Sequence, residues 1–363
     1  MTLSRRAALF AALTPCLSPW LARAQTPDAT TAPAITGTGA TFPAQVYQQW
    51  AEDHSRQTGV RVTYQPAGSS AGVRAITEGR VDFGASDVPL SAAELDKRRL
   101  FQFPTLVGGI VPFVNLPGVG PGALRLDPPT LAALWAGRIT RWNDPALRAL
   151  NPELALPALP VRRVVRSDGS GTTTVFVQYL RQAASDVAQP IVPDGGRANW
   201  PGEVEAVDGS KRLVAAVRAT PGAIGYVSSD YTLRDRLAGV SLLNPRGGWV
   251  APELPAFKAA IGAAGLFRQS LEPVSLLGVD GVGVWPIVTA TYVLVSREPA
   301  SLARASQTLR FFYQSFLLGD RAVAGTGFAP LPITTQARIV ALLSGFRTLG
   351  GQPVPLFLDR PAG

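Results

Sequence analysis

The 363-residue sequence predicts an α/β fold, and three observations carry that prediction. Strand-like and helix-like segments alternate along the chain, two charge-free apolar runs stand far apart in it, and three glycine- and hydroxyl-rich turns each precede a helix-like stretch. The length accommodates about two domains with cores of their own.

The chain opens with Arg5-Arg6, an apolar run over residues 7–21, and Ala22-Arg23-Ala24 before Gln25. That pattern is a signal peptide over residues 1–24, which assigns the remainder to the periplasm. Ser4-Arg5-Arg6 with Leu9 also fits a twin-arginine signal, whereas a lipoprotein reading through Cys16 is weaker because Pro15 obstructs cleavage there. Cys16 is the single cysteine and leaves with the leader, so the mature chain is expected to have no disulfide, thiol chemistry or thiolate metal site.

The first glycine turn, Gly37-Thr38-Gly39-Ala40-Thr41-Phe42, precedes a helix in which Val46, Trp50 and His54 share a face and which ends at Gly59. Residues 61–64 read as a strand, Gly68-Ser69-Ser70-Ala71-Gly72 as the second turn, residues 70–78 as a helix stopped by Gly79, and residues 81–84 as another strand. Residues 100–124 carry no charge, but four prolines and five glycines break them into buried strands and turns instead of a membrane span. A strand-like segment at 161–165, Val161-Arg162-Arg163-Val164-Val165, then leads into Arg166-Ser167-Asp168-Gly169-Ser170-Gly171-Thr172-Thr173. The spacing of Val175, Phe176, Tyr179, Leu180 and Ala183 predicts a helix over 172–184. The second charge-free run, 281–296, is rich in β-branched residues and reads as buried strand. With 100–124 it is a candidate for the crossovers joining two lobes.

Small residues at three helix starts leave backbone N–H groups and the positive helix end open to an anion. Any one such turn is as readily a plain helix cap; three together with Arg166 point to an anion site. Arg166 adds a fork of donors at a strand end, the usual ligand position in α/β sheets, and Asp168 is placed to steady its guanidinium. Asp87, after residues 83–86, is the informative residue. A carboxylate facing a dianion is repulsive unless the ligand brings a proton, which hydrogen phosphate does and sulfate does not. A buried acceptor without that proton costs roughly 1–3 kcal/mol, enough to select by rejection.

Charge and motifs exclude other classes. Of the formal +9, Arg5, Arg6 and Arg23 leave with the leader, so +6 remains, and it is scattered. The adjacent arginine pairs of the mature chain, Arg98-Arg99 and Arg162-Arg163, read as solvated surface, and no basic run points to nucleic acid. No G-x-x-x-x-G-K-[ST] is present, so any driving ATPase is a separate polypeptide. Residues 68–72 match G-x-S-x-G with Ser70 as the nucleophile of a serine hydrolase, yet that fold needs its histidine after the serine, and the single histidine, His54, precedes it.

The blocks "GTGATFPAQVYQQW", "GSSAGVRAITEGRVDFGASDVPLS", "FQFPTLVGGIVPFVNLPG", "RSDGSGTT", "TPGAIGYV" and "VWPIVTATYVLV", in this order across residues 35–300, resemble the periplasmic phosphate-binding protein of high-affinity phosphate ABC importers. That resemblance implies a two-lobed periplasmic-binding-protein fold of type II, with two hinge crossovers and the ligand in the cleft between lobes. It implies lobe I from residues 25–108 and 286–363 and lobe II from 109–285. The implied function is phosphate binding and delivery to the membrane permease subunits of an importer, by a monomer without cofactor, metal or catalysis. Carried over by position, Thr41, the backbone N–H of Phe42, Ser69 and Asp87 bind phosphate from one lobe. Arg166, Ser170, Gly171 and Thr172 bind it from the other, with Asp168 in support. Ser167 departs from the family pattern, and residues 186–210 and those after Arg297 match it less closely. Another oxyanion, namely arsenate, sulfate or molybdate, remains the alternative ligand. A role as a phosphate-sensing surface or signalling protein stays open too. Asp87 argues against sulfate and molybdate but not against arsenate, which carries the same proton.

Overall fold

Each predicted glycine turn lies at the C-terminal end of a strand in a computed structural model of the chain, which describes residues 34–265 and 272–357. The leader assigned to residues 1–24, with Arg5, Arg6 and Cys16, lies outside the described residues. In chain order the first elements are β1 (Ile35–Gly39), α1 (Ala44–Thr58), β2 (Val62–Pro66), α2 (Ser69–Thr77), β3 (Phe83–Ser86), α3 (Ala92–Arg98) and β4 (Leu100–Val114). After them come β5 (Arg125–Leu126), α4 (Pro128–Trp135), α5 (Pro145–Leu150), β6 (Arg162–Arg166), α6 (Gly171–Ala183) and α7 (Ser185–Ala188). The chain continues through β7 (Val192–Asp194), β8 (Arg197–Asn199), β9 (Glu205–Val207), α8 (Gly209–Ala219), β10 (Ala223–Ser228), α9 (Ser229–Arg234) and β11 (Ala238–Gly239). The last elements are β12 (Ser241–Leu243), β13 (Trp249–Val250), α10 (Leu254–Ala264), β14 (Val288–Ser296), α11 (Leu302–Leu318), α12 (Asp320–Val323), β15 (Ala329–Pro330) and α13 (Ile333–Ser344).

One mixed sheet runs in the order β2-β1-β3-β14-β4-β10-β6-β9, with β11 and β15 also paired to β4. β1 is parallel to β2 and β3, so α1 and α2 are the crossovers that parallel pairing requires. β14 is antiparallel to both β3 and β4. β4 is the spine: residues 100–109 pair with β14, whereas residues 110–114 pair with β10. Pro104 is tolerated in it because it falls, opposite Tyr292, at a register shift between Thr291 and Tyr292 where a bulge interrupts the ladder.

Apart from the run at 281–296, the predicted elements appear within a residue or two of their expected positions, and the shifts have local causes. α1 ends where Gly59 takes the left-handed conformation (φ 74°), which closes the helix without a Cβ penalty. The strand expected over 81–84 is instead Phe83–Ser86, because Asp82 is occupied elsewhere. Its carboxylate accepts the Thr36 N–H at 2.8 Å and is gripped by Arg304 at 2.8 and 2.6 Å. Only residues 288–296 of the run at 281–296 form strand, since Gly281, Gly283 and Pro286 break its first half, and Val282 there is 89% exposed. Arg163 corrects the reading of its pair as surface. It is buried, donating to the carbonyls of Trp135 and Pro201 at 2.7 Å and Glu203 at 2.9 Å. Those three carbonyls satisfy a guanidinium that burial would otherwise penalise.

Two aromatic groups fill the core on different parts of the sheet. Phe83 meets Phe312 edge-on at 5.0 Å and lies near Tyr47 and Tyr64, which explains Gly37: a Cβ there would sit 2.0 Å from the Phe83 ring. His54 is buried edge-on to Phe311 at 5.4 Å, and burial lowers its pKa. Beneath α6, Phe176 stacks on Tyr226 at 4.6 Å and meets Trp135 at 5.3 Å.

The G-x-S-x-G match at residues 68–72 has a packing explanation. A Cβ on Gly72 would lie 2.6 Å from Gly39 Cα, 2.7 Å from the Ala85 carbonyl and 2.9 Å from the Thr38 carbonyl, all backbone atoms of β1 and β3. Gly72→Ala is therefore expected to lower stability by about 1–3 kcal/mol through overpacking. Urea unfolding of the two proteins checks it, and equal midpoints would show that α2 shifts freely.

Candidate functional site

β1, β2, β3 and β6 end at one place, and the turns that follow them put helix starts and hydroxyls there. Thr41 lies in the turn before α1, Ser69 opens α2, Gly171 opens α6, and Asp87 follows β3. All are buried, with Asp87 1% and Arg166 3% exposed.

Arg166 is the last residue of β6, and its guanidinium is divided between two sets of partners. Nε donates to Asp168 Oδ1 at 2.6 Å and Nη2 to Oδ2, a bidentate pair. Nη1 donates to Thr41 Oγ1 at 3.2 Å and to Ser210 Oγ at 3.0 Å. The backbone N–H of Gly209 donates to Asp168 Oδ1 at 3.0 Å. Burial pushes the Asp168 carboxyl up, but the hydrogen bonds and charge of Arg166 with the Gly209 N–H outweigh it and hold its pKa below the usual carboxylate range.

Asp87 is the opposite case. Burial pushes its carboxyl up to about 7, and the Thr291 hydroxyl, Arg166 and the Thr172 hydroxyl offset this only in part. Thr291 Oγ1 donates to Oδ1 at 2.7 Å and Thr172 Oγ1 to Oδ2 at 3.4 Å, while Thr289 Oγ1 donates to the Asp87 carbonyl at 2.9 Å. Ser69 Oγ accepts the N–H of Asp87 at 3.3 Å and of Gly171 at 3.2 Å, tying β3 to α6. Ser170 caps α6, accepting the Thr173 N–H at 3.2 Å. The Phe42 ring is buried against Phe328, centroids 5.0 Å apart, which anchors the turn carrying Thr41.

The predicted residues are thus brought together, with Phe42 contributing its ring to the packing. Sequence reading missed others. Ser210, in the first turn of α8, reaches Thr41 and Arg166; Thr289 and Thr291, on β14, hold Asp87. A serine in the first turn of a helix and threonines in a strand carry no local mark of a site. The β7–β8 hairpin was also missed, although Asp194-Gly195-Gly196 is a hairpin turn signal. The Gly195 carbonyl accepts Ser70 Oγ at 3.0 Å and the Gly196 carbonyl accepts the Ser170 N–H at 2.8 Å. Ser70 is therefore engaged with this hairpin, and its N–H donates to the Gly169 carbonyl at 3.0 Å. The glycines make this approach possible, because a Cβ on Gly171 would lie 2.4 Å from Ser69 Oγ and one on Gly196 2.8 Å from Ser70 Oγ.

The chain matches the PBP superfamily domain over residues 24–313. It is 36% identical to the phosphate-binding protein PstS of Xylella fastidiosa over 85% of this chain and 84% of that one. Against the phosphate-binding protein PstS of Haemophilus influenzae it is 38% identical, over 84% of this chain and 91% of the other. The chain belongs to the PBP superfamily, in the family of the PstS proteins. Its fold likewise matches a solved high-affinity periplasmic phosphate-binding protein, PfluDING, determined with phosphate bound. That comparison has a TM-score of 0.70 at 24% identity and covers 90% of this chain and all of the other. The architecture is thus the two-lobed, type II α/β fold that the sequence predicts.

In this PstS-family chain the two carboxyls have opposite pH signatures. Asp87 titrates higher in the fold than its unfolded value near 4, so its ionisation costs nothing below about pH 4. The cost grows as pH rises toward about 7 and is constant above that. Asp168 stabilises the fold above about pH 4 and loses that contribution as pH falls. Asp87→Asn in phosphate-free buffer is therefore expected to be more stable than the wild type at pH 8, with the gain shrinking toward pH 4. Asp230, buried and also pushed up to about 7, is common to both proteins and cancels. Urea unfolding at the two pH values tests this; a gain equal at both would mean that burial does not control Asp87.

Proposed function

We propose that the protein binds inorganic phosphate in the cleft between its lobes and delivers it to the membrane permease subunits of an ABC importer, with ATP hydrolysis on a separate polypeptide. The observation that carries this reading is that Arg166, charge-paired with Asp168 and with Nη1 turned to the hydroxyls of Thr41 and Ser210, shares one site with the buried carboxyl of Asp87. Arg166 supplies positive charge, and the hydroxyls of Thr41, Ser69, Ser170 and Thr172 with the N–H groups of Phe42 and Gly171 supply neutral donors. Ionised, Asp87 is an acceptor and favours a ligand that brings a proton. One acceptor among many donors fits hydrogen phosphate and penalises sulfate and molybdate, while arsenate remains a rival on chemistry alone. The relatedness to phosphate-binding proteins of Xylella fastidiosa and Haemophilus influenzae supports phosphate.

The lobes are assigned as residues 25–108 with 286–363, and 109–285. The partner change along β4 at residues 109–110 supports the first boundary, and β14 beginning at Val288 supports the second. The leader pattern supports export to the periplasm, and a monomer suffices because the whole site comes from one chain. Binding without catalysis is favoured over hydrolysis: Ser70 Oγ donates to Gly195, while His54 is packed in the core against Phe311.

Titration calorimetry of the phosphate-free protein with phosphate, arsenate, sulfate and molybdate at neutral pH tests the assignment. Tight phosphate binding with sulfate and molybdate silent is expected; uptake of sulfate or molybdate, or of nothing, overturns it. Arg166→Ala is expected to weaken phosphate about a hundredfold or more, from the loss of charge-assisted bonds worth roughly 1.5–3 kcal/mol each. Unchanged affinity would remove Arg166 from the site. Asp87→Asn exchanges an acceptor for a donor, so the preference for phosphate over sulfate should narrow by about tenfold or more. If sulfate stays excluded to the same degree, rejection by Asp87 is not the selecting force.

A further inference from the structure

Ser210 Oγ sits 2.8 Å from Thr41 Oγ1 and 3.0 Å from Arg166 Nη1, and the residue is 3% exposed. These partners lie on other elements, 169 and 44 residues away in sequence, so the hydroxyl is directed into the site and not at its own helix. The same helix start also holds the counter-ion, since the Gly209 N–H donates to Asp168 Oδ1. α8 therefore touches three members of the site through two consecutive residues.

A hydroxyl has one proton and two lone pairs, and a guanidinium has five N–H groups. Two of the five are directed at Asp168, and Nη1 is shared between Thr41 and Ser210. At 2.8 Å one hydroxyl donates to the other while both accept from Nη1. With both oxygens accepting a charged donor, the pair retains one outward proton for an anion. Removing Ser210 leaves the Thr41 rotor without its fixed neighbour and Nη1 with Thr41 Oγ1 as its one remaining hydroxyl acceptor, so that one buried N–H loses its partner. The Thr41–Ser210 contact also joins the turn before α1 to the start of α8, from opposite sides of the assigned cleft, so it breaks when the sides separate.

We propose that Ser210 is a positioning residue of the phosphate site, holding the Thr41 hydroxyl and the Arg166 amine in their donating arrangement and slowing ligand departure. This rests on the phosphate reading above. The role acts through Thr41, so the two positions are coupled, and it acts on the closed arrangement, so it shows in dissociation more than in association.

Calorimetry and stopped-flow dissociation with inorganic phosphate are to be run on the wild type, Ser210→Ala, Ser210→Thr, Thr41→Val and the Thr41→Val/Ser210→Ala double variant. Ser210→Ala is expected to bind phosphate about tenfold more weakly, the size of one net hydrogen bond, through faster dissociation at unchanged association. Ser210→Thr, which keeps the hydroxyl, is expected to stay within about threefold of wild type, and on the Thr41→Val background Ser210→Ala is expected to cost less than about threefold. A merely structural serine would lower the folded fraction without altering dissociation from the molecules that bind. Affinity of Ser210→Ala within about twofold of wild type, or losses fully additive with Thr41→Val, overturns the proposal. A wild type that binds no phosphate instead overturns the phosphate reading, and this inference with it.

Discussion

The buried ion pair of Arg166 and Asp168 is the interaction on which the rest of the site depends. An arginine at 3% exposure is tolerable only with its charge matched and its donors satisfied; Asp168 matches the charge and takes Nε and Nη2 through a bidentate contact, and the hydroxyls of Thr41 and Ser210 take Nη1. The pairing also fixes the fork, so that Nη1 faces the hydroxyls of Thr41 and Ser210. Asp168 is itself steadied by the Gly209 N–H, which links the end of β6 to the start of α8. In the proposed site, the charge offered to an anion and the geometry offered to orient it therefore come from the same few atoms.

The second carboxyl has no such partner. Asp87 is surrounded by threonine hydroxyls, and burial outweighs their effect, so two acids in one site are pushed in opposite directions. Burial acts on both; the difference is that Asp168 has direct ion pairing and Asp87 does not. A site with one fixed cation and one reluctant carboxyl is polar without being simply electropositive, which is how a scattered net charge coexists with anion recognition.

Close backbone approach is the structural condition for this density of polar groups. α2 lies against β1 and β3 at Gly72, Gly171 meets Ser69 and Asp87, and Gly196 meets Ser70. At each position a single Cβ would meet atoms within 3 Å. The glycine-rich turns therefore serve packing of the site against itself, which explains why one of them imitates a hydrolase motif.

Fold class and the three turns were legible in the sequence because their signals are local, and Arg166, Asp168 and Asp87 of the candidate site were singled out beside them. Hydrophobic period marks α1 and α6, glycine with hydroxyls marks the helix starts, and Arg166 stands at the end of the strand β6. Strand limits were less legible where side chains had long-range duties, as at Asp82, whose partner Arg304 is 222 residues away. Tertiary structure alone decided that Arg163 is buried, that Thr291 and Thr289 hold Asp87, and that Ser210 joins Thr41 and Arg166. The physical reason is common to all three: hydrogen-bonding capacity is a property of a residue, but its partner is set by a fold that brings together positions tens to hundreds of residues apart.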